Sequence, residues 1–168
     1  LGIVKGRGVV FVPENASPAK VAVIERLGAE VRHIGTDSGE TEAHARHYAE
    51  KNKMTHLPPY NDLKVIGGQG TIGLELTNQL NRIDSVYVAL GGGGMISGIA
   101  GYLKTTNPEV EIIGCSPENS QVMIQSVKAG RILDLPSLPT LSDGTAGGVE
   151  PGSMTLEFCR QFVDDYIT

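Results

Sequence analysis

The chain has no tryptophan, and three phenylalanines and five tyrosines are all of its aromatic residues. Recognition by aromatic stacking is therefore not expected, and contacts made by the backbone are. Cysteine is scarce as well. Cys115 and Cys159 cannot build a disulfide framework, so a reducing cytoplasm and two inert thiols are expected. No apolar run approaches the roughly 18 residues of a membrane helix, so no membrane partner is expected. No signal-peptide pattern is visible, and the first residue is Leu1, not Met. Fourteen Lys and Arg stand against nineteen Asp and Glu, a net charge of −5. With no basic stripe, no nucleic-acid partner is expected. Internal repeats, low-complexity segments and hairpin signals are also absent.

What the chain does have is glycine, 22 in 168 residues, with 40% hydrophobic residues to form an ordinary core. Short apolar runs alternate with helical patterns throughout. Strands are expected at Gly8–Val12, Ala29–Ile34, Asp84–Leu90, Val110–Cys115 and Val163–Thr168. Between them fall helices that begin at Ser17-Pro18, run from about Glu40 to Lys53, follow Gly73, follow the glycines at 91–94, and span Asn119–Ala129 and Met154–Phe162. Met54–Leu57 and Leu63–Ile66 read as brief extended pieces, and residues 134–153 as a long ordered loop. Such βα alternation predicts a parallel sheet with helices on both faces, a three-layer αβα fold. Pro58-Pro59 is the best boundary, which divides the chain into residues 1–58 and 59–168.

The most informative stretch is Val88-Ala-Leu-Gly-Gly-Gly-Gly-Met-Ile-Ser-Gly-Ile-Ala100. A strand enters four glycines and a helix leaves them. The first N–H groups of a helix have no partner within it, and its dipole favours negative charge there. Without Cβ atoms, several of these groups can turn to one anion, so Gly91–Gly94 is expected to cradle a phosphate. Gly68-Gln-Gly-Thr-Ile-Gly73 matches G-x-G-x-x-G to the letter. No long strand precedes it and no acidic residue closes a second strand about twenty residues on, so a helix start packed on the sheet is expected instead of a dinucleotide site. No Walker A lysine follows either glycine run. A nucleotide-binding oxidoreductase is thus the weaker enzymatic alternative.

Three motifs in order, LPPYNDLKVIGGQGTIGLEL, VALGGGGMISGIAGYLK and LSDGTAGGVEPGS, resemble the serine/threonine dehydratase branch of the fold-type II pyridoxal-phosphate enzymes. Serine racemase and hydroxyectoine-utilisation dehydratases are of that group. The resemblance implies a tryptophan synthase β-like fold in two lobes, both incomplete here, with residues 1–58 in the small lobe and 59–168 in the large cofactor-binding lobe. It implies pyridoxal 5'-phosphate as cofactor, with Gly91, Gly92, Gly93, Gly94 and Met95 supplying N–H groups to its phosphate. Gly144, in the Asp143-Gly144 step, would approach the cofactor ring, and Tyr60 would line the substrate pocket. The implied activity is that of an ammonia-lyase, β-elimination of a small hydroxy-amino acid to a 2-oxo acid and ammonia.

The departures from the family pattern matter as much. Its Ser-x-Lys-x-Arg motif with the Schiff-base lysine is absent, as are its Ser-Gly-Asn-His loop and late Ser-Gly-Gly-Asn segment. No catalytic residue is therefore assigned. The chain reads as a central piece, about half of such an enzyme, inactive alone. Its uncovered sheet edges are expected to recruit a second copy, a homo-oligomer. A non-catalytic anion-binding or assembly module derived from such an enzyme is the alternative. Some relatives hold a divalent cation with an acid after the strand Val110–Cys115. Ser116 and Val122 stand at the ligand positions and Glu118 is shifted by two, so no metal is expected. His44 and His47 share a polar helical surface around Arg46 and read as solvated. His33 and His56 lack a partner motif. Asp164-Asp165 reads as turn or sheet-edge charge, and Ser97 as a helix-start residue.

Overall fold

The computed structural model describes residues 6–36 and 38–168. It divides into two compact units, Leu1–His56 and Leu57–Thr168. In the first, strand β1 (Val9–Val12) and strand β2 (Glu30–His33) run parallel, paired from Val9 with Glu30 to Val12 with His33. Helix α1 (Pro18–Arg26) makes the crossover. Pro18 fits its first turn, where an N–H would have no partner in the helix. Gly28, at φ +83°, turns the chain out at the other end. Helix α2 (Ser38–Lys51) packs on β1 through Phe11, whose ring centre lies 5.1 Å from those of both His44 and Tyr48. His44 is thus a packing residue on its inner side although much of it is exposed. The Arg32 guanidinium lies 4.9 Å from the centre of the Tyr48 ring, a cation–π contact.

The second unit opens with helix α3 (Leu63–Gln79), followed by β3 (Ser85–Ala89), α4 (Gly94–Thr106), β4 (Glu111–Cys115), α5 (Val122–Ala129), α6 (Thr155–Phe162) and β5 (Asp165–Ile167). Its three strands are parallel in the order β3-β4-β5. The core forms where α4 meets the sheet. Ile96, Ile99, Ala100 and Leu103 recur at helical spacing and are all buried, against Val88, Ile112, Met123 and Leu156 among others. Burial of each large apolar side chain contributes about 1.5–3 kcal/mol. The parallel α/β class expected from the alternation is the one observed.

One expectation fails. Leu63–Ile66 is no extended piece but the first turn of α3, so Gly68–Gly73 lies inside a helix and not at its start. Asp62 is the reason. Its backbone is extended, and its carboxylate accepts the amides of Lys64 (2.8 Å) and Val65 (3.1 Å), which nucleates the helix ahead of the glycines. The glycines then serve a helix–helix contact and not a helix–sheet one. A Cβ on Gly70 would lie 3.2 Å from the Gly98 carbonyl oxygen of α4, and a Cβ on Gly98 would collide with the Ile66 carbonyl. Two smaller differences follow. Met54–Leu57 forms no strand, and the helix expected from Asn119 begins at Val122.

Candidate anion site

The last ladder bond of β3 runs from the Leu90 amide to the Cys115 carbonyl, 2.8 Å. Beyond it the chain leaves the sheet as Gly91–Gly93 and enters α4 at Gly94. Gly93 has φ +88°, a left-handed value that a side chain would strain. Its carbonyl accepts the Ser97 amide (3.0 Å), which closes the first turn of the helix. The amides of Gly91, Gly92, Gly93, Gly94, Met95 and Ile96 donate to no acceptor among the described residues. Six successive unused donors at the N-terminus of a 13-residue helix form a concentrated positive end.

The loop is held by close packing on its Cβ sides. An added Cβ would lie 2.9 Å from the Thr145 carbonyl oxygen at Gly91, 2.5 Å from the Tyr60 ring at Gly92, 3.0 Å from Thr155 at Gly93 and 2.7 Å from Tyr60 at Gly94. Four glycines are needed because four directions are filled. Tyr60, half-buried, lies directly against the loop, and its hydroxyl accepts the Glu150 amide at 2.7 Å. Met95, the next residue, is 37% exposed. Gly144 is exposed, with open space where its Cβ would stand, one residue from the Thr145 that abuts Gly91. The structure therefore groups Tyr60 with Gly91–Gly94 and leaves Gly144 at the edge of that group.

Several residues of this neighbourhood were not legible as site residues. Asn61 donates to the Glu150 carboxylate (2.7 Å) and accepts the Met154 amide (3.0 Å), which fastens residues 150–154 beside the loop. The Ser116 hydroxyl donates to the Leu90 carbonyl (2.7 Å), and the Thr155 hydroxyl to the Gly92 carbonyl (2.6 Å). These partners lie 26 and 63 positions apart in the chain, so no local pattern announces them. The loop at 134–153 is ordered from below by Ser120, whose hydroxyl accepts from Ser137 (2.7 Å) and from the Gly147 amide (3.1 Å).

Elsewhere in this unit an apolar hollow of about 410 Å³ lies over Ile66, Gly70, Gly98, Tyr102 and Phe158. Burial pushes the Cys159 thiol up to about 12, and likewise raises the Tyr166 phenol. Neither group is poised for acid–base chemistry near neutrality. Asp164 is no simple edge charge. Burial alone would raise it, but the Lys104 ammonium and the Ile112 amide outweigh that and hold its carboxyl below the usual range. Among the described residues, no three His, Cys, Asp or Glu side chains form a metal-binding group, and no helix is long and apolar enough to cross a membrane.

A parallel strand that delivers unused amides at a helix start, at the carboxyl edge of its sheet, is the geometry at which α/β proteins commonly take up anions. The chain belongs to the pyridoxal-phosphate dependent enzyme family, whose pattern matches residues 3–168. It is 40% identical to the catabolic L-threonine dehydratase TdcB of Escherichia coli (strain K12) over 160 residues, 95% of this chain and 48% of that one. The solved structure of maize serine racemase superposes with a TM-score of 0.90 at 31% identity, over 99% of this chain and 50% of that one. The processed form of threonine deaminase isoform 2 from Solanum lycopersicum gives 0.85 at 32% identity, over 96% and 47%. The chain thus spans about half the length of these relatives.

Proposed function

We propose that this chain carries the phosphate-binding part of a pyridoxal-phosphate-dependent lyase of the threonine/serine dehydratase kind, which eliminates the β-hydroxyl of a small hydroxy-amino acid to give a 2-oxo acid and ammonia. The observation that supports this reading is the run of six unused amides at Gly91–Ile96. A phosphate monoester fits such a site, because its oxygens accept several charge-assisted hydrogen bonds and the packed Cβ sides keep the loop from collapsing. The residues that would hold the phosphate are Gly91, Gly92, Gly93, Gly94 and Met95. When bound, the cofactor supplies an electron sink for the α-carbon of the amino acid.

The chain's own residues bind and orient. The amides at 91–95 fix the phosphate end. Tyr60 supports them from one side, and Gly144 leaves the space beside Thr145 open for the ring edge. None of the seven lysines stands in a Ser-x-Lys-x-Arg motif, so the 168 residues alone are expected to bind the cofactor reversibly and without catalysis. That same observation favours a second reading, a non-catalytic anion-binding module. We place the protein in the cytoplasm as a homo-oligomer.

Titration of the purified chain with pyridoxal phosphate, pyridoxal and inorganic phosphate tests the reading. Pyridoxal phosphate and phosphate are expected to bind competitively, and pyridoxal far more weakly. Equal binding of the two pyridoxal forms overturns it. Lyase activity regained on mixing with a chain that supplies the lysine segment would separate the enzyme from the bare module.

A further inference from the structure

We propose that Ser116 and Thr155 are positioning residues that aim the glycine-loop amides at the anion, each by holding a carbonyl from behind. The inference rests on the reading of Gly91–Met95 as a phosphate cradle and adds to it the groups that set the cradle's direction. A trans peptide is planar, so the carbonyl of one residue and the N–H of the next point in opposite directions. No cis peptide occurs among the described residues. The Ser116 hydroxyl holds the Leu90 carbonyl at 2.7 Å, which turns the Gly91 N–H away from Ser116. The Thr155 hydroxyl holds the Gly92 carbonyl at 2.6 Å, which turns the Gly93 N–H away from Thr155.

Glycine alone does not fix these planes, because it has the widest backbone freedom of any residue. An external hold is therefore what makes the loop a defined receptor. Both hydroxyls are built for that task. Ser116 and Thr155 are buried, at 6% and 0% exposure. Thr155 gives its proton to Gly92, so Ser153, 2.7 Å away and also buried, must donate to Thr155. The result is a relay Ser153 to Thr155 to the Gly92 carbonyl with each proton committed. Thr155 opens α6 and Ser116 follows β4, so the two holds come from separate elements of the second unit and reach alternate peptides of the loop. The Gly93 carbonyl is already held by the Ser97 amide at 3.0 Å.

The test uses the full chain with glycine labelled by nitrogen-15, titrated with inorganic phosphate and with pyridoxal phosphate. In the parent chain the Gly91 and Gly93 amides are expected to move among the most of all glycines. Thr155→Val, close in shape, is expected to weaken both ligands about tenfold, the loss of one aligned hydrogen bond. It should also abolish the ligand-induced shift of Gly93 while that of Gly91 remains. Ser116→Ala should do the reverse, and Thr155→Ser should restore both affinity and shift. A role in packing alone would lower the melting temperature without this residue-specific exchange of shifts. Unchanged affinity and shifts in both variants overturn the inference. If the variants fail to fold, the parent chain still decides it: maximal shifts elsewhere than Gly91 and Gly93 overturn it. No phosphate binding by the parent chain would overturn the cradle itself, an outcome distinct from all of these.

Discussion

Individual residues around the loop differ in how much they can yield. A Cβ at Gly92 would press on the Tyr60 ring, side-chain atoms only, whereas one at Gly94 would also lie 2.9 Å from the Tyr60 Cα and 3.1 Å from its carbonyl oxygen. Backbone cannot move aside so readily. Gly94→Ala is therefore expected to cost more stability than Gly92→Ala, roughly 1–3 kcal/mol of overpacking against a smaller loss, as urea unfolding would measure. The two thiols also separate by environment. Cys159 is fully buried with its titration pushed up to about 12, while Cys115 is partly exposed. A thiol reagent at pH 8 is expected to modify Cys115 and spare Cys159 until the chain unfolds, as peptide mapping by mass spectrometry would show. At this scale the glycines themselves were legible, since four in a row between a strand and a helix have few other uses. Ser116 and Thr155 were not, because a hydroxyl announces a carbonyl partner only when the two are near in sequence.

Elements are joined by contacts of two kinds, one apolar and one charged. Helices α3 and α4 meet backbone to backbone at Gly70 and Gly98. Gly98→Ala is expected to force the helices apart and cost about 1–3 kcal/mol or more, measured by equilibrium unfolding. The same glycines hide the helical period of Leu63–Ile66 in the sequence. Glycines at 67, 68, 70 and 73 dilute the apolar period of α3, and only the Asp62 cap marks where the helix begins. Strand β5 is bolted on by Asp164, whose carboxylate accepts the Ile112 amide (2.7 Å) and pairs with Lys104 (2.7 Å). Its pKa is lowered on folding, so its contribution is present above the ordinary carboxylate value and lost as pH falls through the lower folded one. Asp164→Asn is expected to lower the melting temperature at pH 7. The gap to the parent chain should close below about pH 4, where the carboxyl of the unfolded chain is also protonated. Thermal melts across pH 2–7 would check it.

Across the whole molecule, the alternation of short apolar runs with helical patterns was enough to reach a parallel α/β chain, because parallel strands need helical crossovers and these leave their own period in the sequence. The strand order was out of reach, since β5 pairs with β4 across some fifty residues of chain. The outer strand β3 presents Tyr87 at 62% exposure, and Leu57, Leu63 and Leu74 also stand out to solvent. Exposed apolar side chains and open strand edges favour association. Sedimentation of the purified chain is expected to show a concentration-dependent dimer or larger species. The loop adds one more consequence. Its donors are trained by groups from β4's end and α6's start, stretches that meet only when the last third of the chain has docked. Under the proposed reading, affinity for phosphate is expected to gauge completed folding, and the anion, by mass action, would draw partly assembled molecules toward the finished state.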